Sequence, residues 1–207
     1  MSWPGLVERL EGAIVVLEPL EARHEDELRA AAADAAIWEL TRNDASTPEL
    51  FARWWTHATE QAAKGEVGAF ATRERASGEL VGSTRFLTLR PEHHGLEIGH
   101  TWLAPRMWST GANKEAKLLM LTHAFERLGC VRVEFKTDER NWRSRRALAA
   151  LPAQFEGVFR KHMLLPDASW RDSAYYSITD DEWPQVKSGL QRRLAPSARR
   201  RGESGPD

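Results

Sequence analysis

The chain has 207 residues, and at roughly 150 residues per domain this length favours a single large domain. Hydrophobic residues make up 42% of it, charged residues 29%, and the formal net charge is -1, so the composition is globular and disfavours a strongly basic nucleic-acid binder. The single cysteine, Cys130, excludes an intrachain disulfide, and we expect a reducing, cytoplasmic setting. No basic leader followed by an apolar run and no stretch of roughly 18 apolar residues is found, so neither secretion nor membrane insertion is expected.

The first half of the chain predicts one strand, two helices and then three strands. A β-branched run closed by Pro19 indicates the first strand. The second helix begins with Thr47 as its N-cap and Pro48 at its first position, and it ends before Gly65. Short, turn-rich linkers between the three later strands are typical of an antiparallel meander. The predicted ranges are 13–20 (strand), 23–36 and 47–64 (helices), and 68–73, 80–89 and 96–103 (strands).

The second half of the chain predicts helices alternating with strands. A helix from about Ala112, ended by Gly129, is predicted by an apolar stripe at Leu118, Leu121, Phe125 and Leu128. The next strand, at 131–136, alternates apolar and charged residues and should be half buried. The other predicted ranges are 141–151 and 180–194 (helices) and 155–164 and 174–178 (strands). The Arg-containing tail at 196–207 is expected to be disordered.

This order of elements predicts an α/β fold with a mixed, mostly antiparallel sheet of about seven strands flanked by helices. The strand, helix, strand passage across 96–136 needs a crossover connection, so at least one parallel pair is expected there. Ligands of such sheets commonly bind at the carboxyl ends of strands where neighbouring strands diverge. The loop after the strand at 96–103 is therefore the informative one.

The segment at 96–117, LEIGHTWLAPRMWSTGANKEAK, carries the clearest chemical signal. Its strand ends at Leu103, a loop of small residues follows, and a helix begins near Ala112. Backbone N–H groups in such a loop converge on the positive end of the helix, an arrangement that binds pyrophosphate, and Arg106 and Lys114 would add positive charge. A tight structural connection is the alternative interpretation.

Together with the element order, this segment resembles the GNAT superfamily of acyl-CoA-dependent N-acetyltransferases. The family signature is Arg or Gln, two residues, Gly, one residue, then Gly or Ala, and it corresponds here to Arg106-Met107-Trp108-Ser109-Thr110-Gly111. The strand at Glu97, Asn141 with Ser144 at the head of a later helix, and runs within 155–161 and 171–177 are similar to the branch related to RimJ and RimL, the acetyltransferases of ribosomal-protein amino termini. The resemblance spans about 12–194 and implies one GNAT-like domain at 1–195.

The resemblance implies acetyl-CoA as co-substrate and no metal. The residues it assigns to acetyl-CoA binding are Thr101, Trp102, Leu103, Arg106, Trp108, Ser109, Thr110, Gly111, Ala112, Asn113 and Asn141. Two positions depart from the family pattern. Ser109 replaces the first Gly and lacks its freedom of positive φ, and Pro152 follows Leu151 where relatives usually carry Gly, so the helix end must be reshaped. At Gly111 we expect a β-branched side chain to intrude on the phosphate cradle.

Direct attack of an amine on a thioester requires a proton acceptor, donors to an oxyanion and a proton donor. Glu97 is the candidate base, acting through a water, with a salt bridge on the strand face as the structural alternative. His100 competes, although three residues further along a regular strand it faces the opposite side unless a bulge intervenes. Backbone N–H groups at 101–103, next to such a bulge, would hold the oxyanion. Ser144 is the candidate acid, with helix capping as the alternative interpretation and Tyr176 in reserve.

Other residues have less specific interpretations. Trp38, Trp54 and Trp55 suggest an aromatic rim around the acceptor. Cys130 is expected to be a small buried hydrophobe. The adjacent histidines of the turn at 91–95 should point apart, so no metal site is predicted there.

A basic stretch surrounds Trp142 and comprises Arg140, Arg143, Arg145 and Arg146. It is consistent with RNA binding, with contact to the adenosine 3′-phosphate of CoA or with a solvated helix face.

Three classes of function remain. The first is an N-acetyltransferase acting on a primary amine, either a protein amino terminus or a small molecule. The second is a non-catalytic acyl-CoA-binding regulatory domain, motivated by Ser109 and Pro152, and the third is an RNA-associated module using residues 140–146 and 199–201. Strong nucleic-acid binding is not expected. A homodimer is common among similar proteins, but no residue pattern here requires one.

Overall fold

A computed structural model describes residues 3–41, 43–165 and 168–195, which form one mixed sheet with helices on both faces. The strands are β1 (Leu10–Glu11), β2 (Val15–Pro19), β3 (Gly68–Glu74), β4 (Leu80–Arg90), β5 (Gly95–Leu103), β6 (Arg132–Asp138), β7 (Gln154–Leu164) and β8 (Trp170–Thr179). The α-helices of the described residues are α1 (Glu25–Ala32), α2 (Pro48–Ala63), α3 (Ala112–Glu126), α4 (Trp142–Ala150) and α5 (Trp183–Leu194). The tail predicted at 196–207 lies outside the described residues.

The strand order across the sheet is β1-β2-β3-β4-β5-β6-β8-β7. Every neighbouring pair is antiparallel except β5 and β6, which are parallel and joined through α3. The predicted α/β fold, its mostly antiparallel sheet and its parallel pair are therefore confirmed. The sheet has eight strands where about seven were predicted, because the two-residue β1 is too short to leave a sequence pattern.

The helix predicted at 23–36 is shorter than expected. Its α-helical part is α1, and a separate 3-10 turn follows at Ala35–Ile37. The Asp34 side chain accepts the Ala36 N–H at 2.9 Å, so it offers the backbone a local alternative to the helical hydrogen bond. Propensity predicts α2 well, because Thr47 accepts the Leu50 N–H at its start as an N-cap should.

Two apolar clusters lie on opposite faces of the sheet. The larger one packs α3 and α5 against the central strands. The smaller one packs α1 and α2 on the other face and contains Trp38, Trp54 and Trp55, which are only 6%, 7% and 8% exposed. In this structure the three rings therefore do not form an open aromatic rim, since tertiary packing places them inside a core.

A buried carboxylate fixes the start of α3 to the first hairpin. Glu115 accepts the backbone N–H groups of Ala13, Ile14 and Val15 at 2.9, 2.7 and 2.8 Å. A Cβ on Gly12 would overlap this carboxylate, so a larger residue there would have to displace Glu115 from its three hydrogen bonds. The first turn of α3 is thereby held against β2.

The end of α4 accommodates Pro152 without losing a hydrogen bond. The N–H groups on either side of it, from Leu151 and Ala153, both donate to the Leu148 carbonyl at 3.0 and 3.2 Å. Both neighbours of Pro152 thus keep a hydrogen-bond partner at the helix end.

Candidate active site

The parallel strands β5 and β6 separate part-way along their length. Their pairing begins at Gly95 and Arg132 and stops at Glu97 and Glu134. Beyond this point β5 continues to Leu103 without pairing to β6. The space between the two strands, which we call the β5–β6 opening, therefore leaves an edge of β5 that is not covered by β6.

A bulge distorts β5 beside this opening. The pairing with β4 moves from Ser83 opposite Trp102 to Arg85 opposite Gly99, so two residues of β5 face the single Thr84. One of them is His100, with a φ of 48°. Because of the extra residue, His100 lies on the same face as Glu97, the exception that the sequence argument allowed.

The side chain of Glu97 is buried, with 4% exposed, at the vertex of the β5–β6 opening. Its Oε2 accepts a hydrogen bond from Thr88 at 3.0 Å and lies 3.2 Å from Lys136 Nζ. His100 Nδ1 lies 3.3 Å from Asn43 Nδ2, in the connection before α2. Glu97 thus forms the strand-face salt bridge that was the structural alternative to a catalytic role. The two candidate bases, Glu97 and His100, lie on the same face of the sheet.

The loop between β5 and α3 contains two residues with positive φ angles. Ser109 has a φ of 63° and Gly111 a φ of 96°. Ser109 therefore adopts the left-handed conformation that only glycine was expected to reach. Thr110 accepts the Ala112 N–H at 3.3 Å and donates to the Met107 carbonyl at 2.8 Å.

The start of α3 leaves polar groups for a ligand. Its N-cap, Gly111, supplies no capping side chain, and Asn113 Oδ1 is buried without a hydrogen-bond partner among the described residues. A Cβ on Gly111 would lie 3.1 Å from Ile14 Cδ1 and 3.5 Å from Leu194 Cδ2. A larger side chain at Gly111 would thus press on these two half-buried side chains, and the φ of 96° would strain it. That such a side chain also intrudes on the phosphate cradle stays a prediction.

Arg106 is already neutralised by two carboxylates. Its guanidinium contacts Glu74 and lies 2.6 Å from Glu79, on the β3–β4 hairpin. This pairing fixes the beginning of the loop. Its predicted contact with a pyrophosphate would have to compete with both ion pairs.

The two predicted acetyl-CoA contacts at the end of β5, Trp102 and Leu103, pack into different apolar clusters. Trp102 is buried between Trp38 and Trp54, with ring centres at 5.4 and 5.7 Å. Leu103 packs into the larger apolar cluster, and its carbonyl accepts the Trp108 indole N–H at 2.9 Å. Trp102 and Leu103 can therefore face acetyl-CoA through their backbone only.

Asn141 and Ser144 lie at the head of α4, as predicted. Asn141 Oδ1 accepts the Ser144 N–H at 2.9 Å, and its amide donates to the Leu40 carbonyl at 2.6 Å. Asn141 is thus the cap, which leaves the Ser144 hydroxyl free of a capping role. The reserve candidate Tyr176 accepts a hydrogen bond from Arg145 Nε at 3.1 Å and packs in the larger cluster.

Lys117 was missed by the sequence argument. It projects from α3 to the bulge, where its Nζ donates to Thr101 Oγ1 at 2.5 Å and to Thr84 Oγ1 at 3.3 Å. Burial lowers the pKa of Lys117 to about 7. The available signal was its position four residues before Leu121, on the apolar stripe of the helix.

The sequence analysis named Tyr176 and missed its neighbour Tyr175, because strand register decides which of the two tyrosines lies on the face of Glu97. It pairs with Lys136 and shares the face of Glu97, whereas Tyr176 pairs with Phe135 on the other face. Its hydroxyl lies 3.4 Å from His162 Nε2. Burial and then the nearby Glu97 carboxylate raise the pKa of Tyr175 above its usual value.

Each arginine of the basic stretch around Trp142 makes a contact with another residue of the chain. Arg140 pairs with Asp138, Arg145 with Tyr176, and Arg146 lies over the Trp142 ring. The remaining member, Arg143, lies over the Trp108 ring. These contacts reduce the support for RNA binding, and residues 199–201 lie outside the described part of the chain.

Cys130 is buried, and burial raises its pKa to about 12, which confirms a small hydrophobe rather than a nucleophile.

Within the described ranges, no group of three or more His, Cys, Asp and Glu side chains is arranged to hold a metal. None of the described helices has the length and apolar character needed to cross a bilayer.

Comparison with known proteins identifies the family. Residues 15–153 match the acetyltransferase (GNAT) domain. The chain belongs to the GNAT acetyltransferase family. It is 31% identical over 104 residues to the uncharacterized N-acetyltransferase YoaA of Bacillus subtilis strain 168, and this match covers 50% of the chain and 58% of YoaA.

Two solved structures extend the comparison along the GNAT chain. A GCN5-related N-acetyltransferase from Brucella melitensis is 33% identical, with a TM-score of 0.86 over 94% of this chain and 88% of its own. Mycobacterium smegmatis RimJ in complex with CoA-disulfide is 23% identical, with a TM-score of 0.74 over 93% and 97% of the two chains. The second likeness is one of fold alone.

Proposed function

We propose that this GNAT protein transfers the acetyl group of acetyl-CoA to a primary amine by direct attack. The observation that carries the proposal is the separation of β5 from β6 directly beyond Glu97, beside the loop that begins α3. This juxtaposes an open strand edge, a candidate base and a helix N-terminus. A non-catalytic CoA-binding domain would use the strand edge and the helix N-terminus but would have no need of the base.

The residues around the opening fit acetyl-CoA chemically. The first-turn N–H groups of α3, with those of Ser109 and Gly111, suit a pyrophosphate because the helix end is electropositive. The open edge of β5 at 101–103 suits the amides of a pantetheine arm. Acetyl-CoA supplies an acetyl group held as a thioester, which an uncharged amine can attack.

Two groups on β5 would serve the attack. Glu97 accepts the proton of the amine through a water, and its ion pair with Lys136 supports a carboxylate that stays charged and fixed. The backbone N–H groups at 101–103 donate to the developing oxyanion. His100 is the alternative base, and its position on the same face supports keeping it as one.

Ser144 donates a hydrogen bond or a proton to the departing thiolate, and solvent water replaces any proton that it gives up. Its hydroxyl is not the helix cap, and it lies in the first turn of α4 across the opening from β5. Asn141 holds this turn in place through its bonds to Ser144 and Leu40. We assign to Asn141 a positioning role beside any contact it makes with CoA.

The acceptor is a protein amino terminus or a small-molecule amine. The motifs shared with the RimJ and RimL branch support the amino terminus. The β7–β8 hairpin and the connection before α2 border the face where Glu97 and His100 lie, so they are placed to contact the acceptor.

A thermal-shift titration with acetyl-CoA, followed by thiol release with amines and amino-terminal peptides, tests the proposal. Ligand at about 100 times Kd should add roughly 2.7 kcal/mol of stability, or several degrees for a chain of this size. A shift with thiol release supports the transferase, and a shift alone supports the non-catalytic binding domain. No shift at millimolar acetyl-CoA overturns the proposal.

A further inference from the structure

Two side chains on the sheet face beneath α2 hold buried donors that have no partner in the part of the chain that the structure describes. Arg85, in the middle of β4, is 1% exposed, and its Nε, Nη1 and Nη2 atoms all lack a hydrogen-bond acceptor. Trp102, on β5, is 5% exposed, and its Nε1 lacks one too. An unpaired buried charge is among the most destabilising features a fold can carry, so a missing partner is indicated.

The two unpaired donors border the same place. The guanidinium carbon of Arg85 lies 5.1 Å from the centre of the Trp54 ring. Trp102 meets the same ring edge-on, with centres 5.7 Å apart. Strand pairing sets Trp102 opposite Ser83, two residues before Arg85. No described carboxylate lies within ion-pair distance of Arg85, and an aromatic face attracts a cation without accepting its hydrogen bonds in the guanidinium plane.

The chemistry of these donors selects their partner. A guanidinium and an indole N–H donate and never accept, so the complement must be an acceptor. Burial lowers the pKa of Arg85 to about 10, which leaves it charged at neutral pH and makes an anion the preferred complement. The planar fork of the guanidinium matches the two oxygens of a carboxylate.

The position of Arg85 connects it to the candidate base. Arg85 pairs with Gly99, and a Cβ on Gly99 would lie 3.3 Å from Glu97 Oε1. The side chains of Arg85 and Glu97 therefore project from the same face of neighbouring strands, which lie about 4.8 Å apart. An acceptor with its amine at Glu97 can place a second group, about one residue away, toward Arg85.

We propose that Arg85, assisted by the Trp102 indole N–H, binds a carboxylate of the amine acceptor. The substrate class is then a primary amine with a carboxylate close by, either a free α-amino acid or a peptide whose amino-terminal residue is acidic. The Trp54 indole covers the site and must shift for a carboxylate to reach Arg85. This inference rests on the proposed acetyl transfer.

Matched acceptor pairs test the inference. Thiol release from acetyl-CoA is measured with free amino acids against their amides, and with peptides beginning with Asp or Glu against the same peptides beginning with Asn or Gln. The wild-type protein should favour the carboxylate in one arm by about tenfold or more in kcat/KM, since the interaction is charge-assisted. A preference among the amino acids identifies the carboxylate as the α-carboxylate of a free amino acid. A preference among the peptides identifies it as the side chain of an acidic first residue.

Three variants assign this preference to the proposed residues. Arg85→Met should remove it while leaving the Kd of acetyl-CoA unchanged, and the variant should fold because it deletes an unpaired buried charge. Trp102→Phe keeps the ring but loses the N–H, and it should weaken the preference. Trp38→Phe is the matched control, because its N–H is already bonded to the Ala32 carbonyl at 2.9 Å and the preference should persist.

Equal kcat/KM for both members of every pair, or an undiminished preference in Arg85→Met, overturns the inference. If Arg85→Met does not fold, an undiminished preference in Trp102→Phe overturns it. Absence of thiol release with every amine counts against acetyl transfer itself. In that case the same pairs are titrated against tryptophan fluorescence with CoA present, and a response to the carboxylate that Arg85→Met loses supports the site, whereas equal responses overturn it.

Discussion

The guanidinium carbon of Arg143 lies 4.3 Å from the centre of the Trp108 ring. This contact joins the first turn of α4, which follows β6, to the loop that follows β5. Trp108 is also bonded to the Leu103 carbonyl, and Arg143 reaches the Ala36 carbonyl at 3.5 Å. One stacked pair thus connects the segments on both sides of the β5–β6 opening with the connection after α1.

A double-mutant cycle should detect this connection. For Trp108→Leu and Arg143→Met we expect a coupling of about 0.5–1 kcal/mol in the free energy of unfolding, because the pair is only partly exposed. Urea unfolding measures it. The control cycle uses Trp142 and Arg146, a more exposed pair at 5.2 Å, which should couple less. Equal coupling in both cycles would contradict the assignment.

A negative charge at Ser109 should weaken CoA binding. Asp and Asn both tolerate the left-handed backbone of this position, so Ser109→Asn is a neutral control of the same shape as Ser109→Asp. We expect the aspartate variant to raise the Kd of CoA by about tenfold relative to the asparagine variant, since one like charge faces the phosphates. Calorimetric titration measures both, and higher salt should narrow the gap. Equal Kd values at low salt would place the phosphates elsewhere.

Loss of the Glu97 carboxylate should slow the reaction. Glu97→Gln is expected to lower kcat by about 100-fold, the usual range for general acid–base catalysis. Glu134→Gln is the matched control, because Glu134 is the register partner of Glu97 on β6 and pairs with Arg90 and Arg132 instead. Its kcat should stay within a few fold.

The pH profile separates the two candidate bases. If Glu97→Gln retains kcat and His100→Gln loses both activity and the acidic limb of the profile, the proton acceptor is His100. A retained kcat in both variants would exclude either side chain as the base.

Stability should depend on pH through Lys117. The pKa of this amine is about 7 in the folded protein and near its ordinary value of 10.5 when unfolded. Unfolding therefore takes up a proton above pH 7. The free energy of unfolding consequently increases as the pH rises from 7 toward 10 and decreases again as the pH falls. The slope is at most about 1.4 kcal/mol per pH unit.

Urea unfolding of the wild type and Lys117→Met between pH 7 and 8.5 measures this effect. The difference between the two proteins should change with pH in the direction given. Lys187→Met removes a partly exposed lysine paired with Glu126 and should show no such trend. A pH-independent difference for Lys117→Met would show that Lys117 keeps its proton in the folded state.

Local sequence signals predicted the elements that local chemistry determines. The Thr47 cap, the strand that ends at Leu103 and the start of α3 near Ala112 all agree with the structure. Each depends on residues within one or two turns of one another. The same holds for Asn141 and Ser144, whose spacing of three already places them in one helical turn.

Features that depend on distant partners escaped the prediction. The carboxylates that hold Arg106 lie 32 and 27 residues earlier, on a hairpin whose position is set by the sheet. Burial of Trp54 follows from the packing of α2 and not from its own neighbours. The isolation of Arg85 is invisible in sequence, because an alternating strand is expected to expose its charged residues.

The three hydrogen bonds of Glu115 also constrain the order in which the protein assembles. The hairpin residues that they hold precede Glu115 by 100 to 102 positions. At about 5–20 residues per second, a ribosome makes this carboxylate several seconds after the hairpin has been synthesised. The hairpin N–H groups can therefore bind this carboxylate only after α3 has been synthesised, so the contact between the start of α3 and β2 joins the earliest and the middle parts of the chain.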